Sequence, residues 1–333
     1  MEETPRRALF RLVSGYQLSQ ALHVAARLGV ADRLAGGPRS SDDVAAETGT
    51  HPDTLYRLLR ALAAVGVLHE LDGRRFELTE LGEGLRRDVA GSVHGWAMMI
   101  GRPMHWNTWS SLVESVRTGE NAFRLVHGTD VWSYRAERPD EQAIFDDAMT
   151  AMTGLIDAAV LDVYDFTRFR EVVDVAGGRG ALLAAILAKH ETVKGVLFDQ
   201  PDVVANADAV RARFGERCRI VGGNFFERVP EGADAYLLKS ILHDWEDAEC
   251  VAILRVIREA MPAHALVLVL ERDLGGANEN PGAKLSDLNM LVNPGGRERS
   301  DDEYAALFAA AGLRYEGATP TAAGVSVFEA AAA

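Results

Sequence analysis

In the second half of the chain, short aliphatic runs alternate with helical stripes. The runs 171–176, 194–199, 218–222, 234–239, 264–271, 313–318 and 323–329 have strand length and are rich in aliphatic residues, many of them β-branched. Apolar positions at helical spacing fill 180–190, 201–214, 246–261, 282–292 and 301–311. This alternation predicts an α/β fold with a doubly wound sheet. A sheet of that kind takes its ligand at the carboxyl ends of the strands, where the strand order reverses.

The first half reads differently. Residues 8–35 carry a helical stripe, with Gly29 and Gly36-Gly37 as breakers. Ser40 to Gly49 has a Ser/Asp start and a Gly stop, and His51 to Gly66 begins with a proline suited to a first helical turn. Val67–His69 and Phe76–Thr79, separated by Asp72-Gly73, predict a hairpin. Two helices and a hairpin make a winged helix, which serves either DNA binding or dimerisation. Its second helix offers Arg57 and Arg60, thin for phosphate contacts. From Trp96 to Tyr164 the chain is helical and rich in Met and aromatics, which serve as core or line a pocket for a flat apolar ligand. The expected divisions are 1–95, a helical connector over 96–165, and an α/β domain over 166–333.

The stretch Glu171 to His190 runs from a β-branched strand through Gly177, Gly178 and Gly180 into an apolar helix. Strand, glycine turn and helix open a nucleotide-binding βαβ unit, in which the backbone approaches a ligand closely and offers free N–H groups. The dinucleotide pattern fails, because Leu183 stands where its third glycine belongs. Asp174 with the glycines instead resembles the D-x-G-x-G-x-G loop of S-adenosylmethionine (SAM) methyltransferases, with Ala176 in place of the first glycine.

Candidate chemistry follows the strand ends. Asp199 ends the second α/β strand, where an acid binds ribose hydroxyls or caps the next helix. Gly222-Gly223-Asn224-Phe225-Phe226 is a turn able to hold an adenine ring. His243 follows the fourth strand, Glu271 closes the fifth, and Glu298 follows Gly295-Gly296. One His and two carboxylates at one edge suit general-base chemistry. Asp244 reads as a helix cap and Cys250 as packing. Metal-ligand spacing is lacking, so no metal is expected.

Composition narrows the partners. A net charge of −14 disfavours nucleic acid and anionic membranes. The 2 cysteines, far apart, suit a reducing compartment. With no apolar leader or membrane-length run, the expected location is the cytoplasm.

Two segments carry a family resemblance: Leu238-Lys-Ser-Ile-Leu-His-Asp-Trp-Glu-Asp247, and Asp287-Leu-Asn-Met-Leu-Val-Asn-Pro-Gly-Gly-Arg-Glu-Arg-Ser300. With the glycine loop they resemble the class I SAM-dependent O-methyltransferases of the plant caffeate and hydroxyindole type and their bacterial antibiotic-tailoring relatives. The resemblance implies a Rossmann-like methyltransferase sheet with an N-terminal winged-helix dimerisation domain, and a homodimer. It implies SAM contacts at Gly177, Gly178, Asp199, Asn224, Phe225, Lys239 and Ser240, with S-adenosylhomocysteine as product. It implies His243 as base flanked by Glu271 and Glu298, and acceptor contacts at Phe145, Met149, Met152, Asn289 and Met290. The expected acceptor is a small aromatic molecule with a phenolic or enolic hydroxyl. Asn224 stands where the family usually has Asp and Ala176 replaces a loop glycine, departures that leave a second reading, another reaction such as hydroxylation, decarboxylation or cyclisation on the same SAM-binding fold. The winged helix leaves a third, a DNA-binding regulator, against which the acidic charge argues.

Overall fold

The computed structural model describes residues 4–89 and 91–333; the side chains of Thr150, Ala151, Met152 and Leu155 lie outside that description. The chain forms two compact units. One comprises the chain up to Ser110 together with Arg135–Met152; the other comprises Ser111–Tyr134 and Thr153–Ala333. The segment 96–165 is thus shared between the two units.

In the first unit the stripe over 8–35 forms three helices, Pro5–Val13, Gly15–Arg27 and Val30–Leu34. Gly29 adopts φ +59° between the second and third, a left-handed turn that a side chain would strain. Helix Ser41–Thr48 starts on the Ser40 hydroxyl, which accepts from the Asp43 N–H, and stops at Gly49. Helix Pro52–Ala64 follows. Strands β1 (Arg39–Ser40), β2 (Leu68–Leu71) and β3 (Arg75–Leu78) pair in the order β1-β3-β2. The wing therefore has a third, very short strand that the sequence pattern does not announce. Val44, Leu55, Leu59, Leu62 and Phe76 form the core beneath it.

The second unit holds a seven-stranded sheet. Its strands are β4 (Glu171–Val175), β5 (Lys194–Asp199), β6 (Cys218–Gly222), β7 (Ala235–Lys239), β8 (Leu266–Glu271), β9 (Leu313–Pro320) and β10 (Ser326–Ala332), in the order β6-β5-β4-β7-β8-β10-β9. Strands β4 to β8 are parallel; β10 runs antiparallel to both β8 and β9. Buried aliphatics on both faces explain the unbroken apolar runs of the central strands, with Val172, Val173 and Val175 fully covered. The order reverses between β4 and β7, which puts the ligand crevice of such a sheet beside the glycine turn.

Two expected elements differ. The stripe over 201–214 forms two helices, Pro201–Val204 and Asp208–Phe214. The last strand sits three residues later than expected. Its alanines carry little strand preference, and pairing of Ala330 and Ala331 with Val267 and Leu266 holds them extended.

Candidate active site

The glycine turn leaves the carboxyl end of β4. Ala176 adopts φ +57° and Gly178 φ +60°. Ala176 thus takes a left-handed conformation that glycine adopts freely and that costs other residues roughly 1–2 kcal/mol. Gly177 has no room for a side chain: a Cβ there would stand 2.5 Å from the Asp174 carboxylate. At Gly178 nothing lies within 4 Å of a Cβ, so this part of the turn faces open space.

Asp199, at the end of β5, steadies the turn. Its carboxylate accepts from the Gly178 N–H at 2.8 Å and from the Gln200 N–H at 2.6 Å. Gln200, not Asp199, occupies the N-cap of the next helix, and no side chain caps it. Beneath the turn Asp174 is buried with one oxygen, Oδ2, lacking any hydrogen-bond partner. Burial pushes this carboxyl up to about 7, against the opposing pull of Lys239. An acid with one unpartnered oxygen beneath two consecutive glycines suits a cationic ligand such as SAM.

At the end of β6, Asn224 is half-engaged. Its Oδ1 accepts from the Phe226 N–H at 3.0 Å and its Nδ2 donates to Glu227 at 3.2 Å. Phe225 and Phe226 pack with Trp245, with centroids 6.1 and 4.9 Å away. Lys239 ends β7 and donates to Asp157 at 2.7 Å. Ser240 takes φ +55°, with its N–H bonded to the Leu270 carbonyl.

The short turn Leu242–Asp244 after β7 carries His243. Its Nδ1 lies 3.2 Å from Glu271 Oε2 and 3.3 Å from Glu298 Oε1. Carboxylates only accept, so this nitrogen bears the hydrogen, and Nε2 is the basic position. Glu271 is itself fixed, accepting from the Ile241 N–H at 2.8 Å. Glu298 accepts from the Ser286 hydroxyl at 2.7 Å, and its own N–H donates to Asp287 at 3.0 Å.

Burial alone would lower the imidazole pKa, but Glu271, Asp244 and Glu298 outweigh it and raise it to about 10. Burial also favours protonated Glu298, yet bonds from His243 and Ser286 hold that group below its ordinary value. For Glu271, burial prevails and pushes the carboxyl upward. Asp244 does not cap the following helix, whose N-cap is Glu246; it lies 3.7 Å from His243 Nε2. That corrects the expected capping role. Cys250 is buried against the Leu242 carbonyl, its thiol pushed up to about 12 by burial, as packing requires.

Sequence reasoning missed Arg299, Ser286 and Asp157. Arg299 is 1% exposed and donates to the carbonyls of Leu242 and Trp245, on either side of the His243–Asp244 turn, and to Asp247. The one signal was its place in the Gly-Gly-Arg-Glu-Arg run. Ligand atoms of His243, Glu271 and Glu298 lie within 4.8 Å of one another, a spacing that a divalent cation could also use.

The expected acceptor residues fall in both units. Phe145, half-buried, lies under the Arg135 guanidinium at 3.8 Å, and Met149 is half-buried on the same helix, Pro139–Val163. Met152 is outside the described side chains. In the second unit Met290 is buried, and the Asn289 side-chain oxygen accepts from Asn293 at 2.7 Å.

Residues 10–87 match the O-methyltransferase dimerisation domain, and residues 109–314 match the O-methyltransferase domain. The chain is 40% identical to the phenazine O-methyltransferase PhzM of Lysobacter antibioticus, over 97% of this chain and 95% of that one. It is 44% identical to the O-demethylpuromycin-O-methyltransferase of Streptomyces alboniger, over 92% and 83%. It is 36% identical to an 8-amino-8-demethylriboflavin N,N-dimethyltransferase of Streptomyces davaonensis, over 96% and 93%. Human N-acetylserotonin methyltransferase, crystallised with SAM, superposes with a TM-score of 0.91 at 28% identity, covering 99% and 98%.

Proposed function

The chain belongs to the SAM-dependent O-methyltransferase family, and we propose that His243 is the base through which it methylates a phenolic or enolic oxygen of a small aromatic natural-product intermediate. The observation that carries this reading is His243 Nδ1 held by its hydrogen bond to Glu298 Oε1, with Glu271 Oε2 at ion-pair distance beside it. A clamped Nδ1–H leaves Nε2 to accept a proton, and both carboxylates stabilise the imidazolium that results.

SAM supplies an electrophilic methyl group on a sulfonium. Gly177, Gly178, Asp199, Asn224, Phe225, Lys239 and Ser240 are the residues we assign to holding it. Asp199 would take ribose hydroxyls, since its oxygens retain lone pairs beyond the two backbone bonds. His243 Nε2 would remove the acceptor proton, freeing the oxygen to take the methyl group that SAM supplies when bound. A phenol near pKa ~10 is a poor nucleophile at neutral pH, whereas a neutral aromatic amine needs no prior deprotonation. The charged machinery around His243 therefore favours an oxygen acceptor over a nitrogen one.

Phe145, Met149, Met152, Asn289 and Met290 are the residues we assign to the acceptor, and a homodimer through the first unit is the proposed assembly. Helix Pro5–Val13 supports it: Leu9, Phe10, Leu12 and Val13 are 62–74% exposed, more apolar surface than a solvated helix presents. The acidic chain suits neither nucleic acid nor an anionic membrane as partner. Among the described residues no helix is long and apolar enough to cross a membrane.

The test is incubation with SAM and a panel of hydroxylated phenazines, naphthoates and aminobenzoates, followed by mass spectrometry. A gain of one methyl on oxygen, with release of S-adenosylhomocysteine, is the expected result. Methylation confined to nitrogen acceptors would overturn the proposed role of His243.

A further inference from the structure

Lys239 stands at the carboxyl end of β7, beside the glycine turn after β4, where the strand order reverses. Its ammonium donates to Asp157 Oδ1 at 2.7 Å, and the two side chains are only 14% and 6% exposed. Asp157 lies in the second half of helix Pro139–Val163, an acid within a largely apolar stretch. Burying such a pair costs desolvation that its own attraction offsets poorly, so stability alone is a weak reason for it. Nearby, Asp174 is buried with Oδ2 unpartnered, and Lys239 and Asp157 are the charged groups acting on it most strongly. Two buried carboxylates thus face one buried cation.

That arrangement is complementary to a zwitterion. A ligand bringing an ammonium and a carboxylate on one carbon would meet a carboxylate and an ammonium in reversed order. Its ammonium would also supply the positive charge this corner lacks. The amino-acid end of SAM has that chemistry. Resting on the cofactor reading above, we propose that Asp157 is a cofactor-binding residue: it takes the α-ammonium while Lys239 takes the α-carboxylate. A structural strut between helix and sheet is the competing role, and it makes a different prediction.

The experiment is calorimetric binding of S-adenosylhomocysteine and 5′-methylthioadenosine, which lacks the amino-acid end, to the full chain and to Asp157→Asn. The wild type should bind S-adenosylhomocysteine at least roughly 10-fold more tightly than methylthioadenosine. Asp157→Asn should lose roughly 10–100-fold for S-adenosylhomocysteine, typical of a hydrogen bond to a charged group, and keep its affinity for methylthioadenosine. Equal weakening of both ligands, or of neither, overturns the proposal. Should the variant not fold, desamino-S-adenosylhomocysteine and the wild type decide: equal affinity with and without the amine overturns it. A wild type that binds none of these nucleosides contradicts the cofactor reading itself.

Discussion

Gly296 lies so close to His243 that a Cβ on it would fall 2.1 Å from the His243 carbonyl oxygen. At Gly296 the loop carrying Glu298 meets the turn carrying His243 backbone to backbone. Arg299 completes the contact with its bonds to Leu242 and Trp245. His243 and Glu298 are therefore positioned by a close approach that permits no side chain at residue 296.

Gly296→Ala should displace that turn. The expected result is a fall in kcat of at least roughly 10²-fold, as misplacement of a catalytic group produces. SAM affinity should stay within a factor of a few, because the glycine turn is untouched. Calorimetry and initial rates check this. A fully active Gly296→Ala enzyme would show that the close contact does not position His243.

The pH dependence has a definite sign. Carboxylates raise His243 above its ordinary value near 6.5, to about 10. With His243 as the base, the deprotonated form is the active one, so kcat/KM should keep rising from pH 7 to beyond 9 instead of levelling near 7. Glu298→Gln removes one of the groups raising the imidazole, so its rising limb should move to lower pH. Acceptor ionisation is common to both enzymes and cancels in the comparison. Superimposable profiles would contradict the coupling of Glu298 to His243.

Ala176→Gly should relieve the left-handed backbone at the start of the glycine turn after β4. Stability against urea should rise by about 1 kcal/mol, within the cost of a side chain in that conformation. An unchanged or lower midpoint would mean that Ala176 makes a contact worth its strain.

The His243, Glu271 and Glu298 atoms are close enough for a divalent cation. With His243 as the base, a proton occupies that place instead. Exhaustive treatment with EDTA should leave turnover unchanged, and added Zn²⁺ should inhibit by competing for the same atoms. Loss of activity on chelation, restored by one metal, would replace the base mechanism with a metal-assisted one.

Much of this site was legible in the sequence because its residues sit at strand ends. Asp199, Lys239 and Glu271 each close a run of aliphatics, and Gly177-Gly178 puts two glycines in series directly after another. Local pattern carries that information. The supporting residues were not legible, because they act across the chain. Arg299 braces a turn more than 50 residues earlier in the sequence, Ser286 reaches Glu298 from the preceding helix, and Asp157 meets Lys239 across 82 positions. Asp244 misled for the same reason: as an acid before a helix it resembles a cap, while in space it faces an imidazole. At the end of β10, alanines follow their neighbour's register instead of any preference of their own.

The central claim is that His243 Nε2 takes the acceptor proton during methyl transfer. The direct measurement is the rate of wild type and His243→Ala on one aromatic scaffold whose hydroxyl pKa is tuned by substituents from about 6 to about 10. Proton removal by His243 predicts a defect of roughly 10²–10⁴-fold for the least acidic acceptors, shrinking towards none for those already ionised at pH 8. A defect of constant size across the series would contradict it, and would leave His243 with a positioning role only.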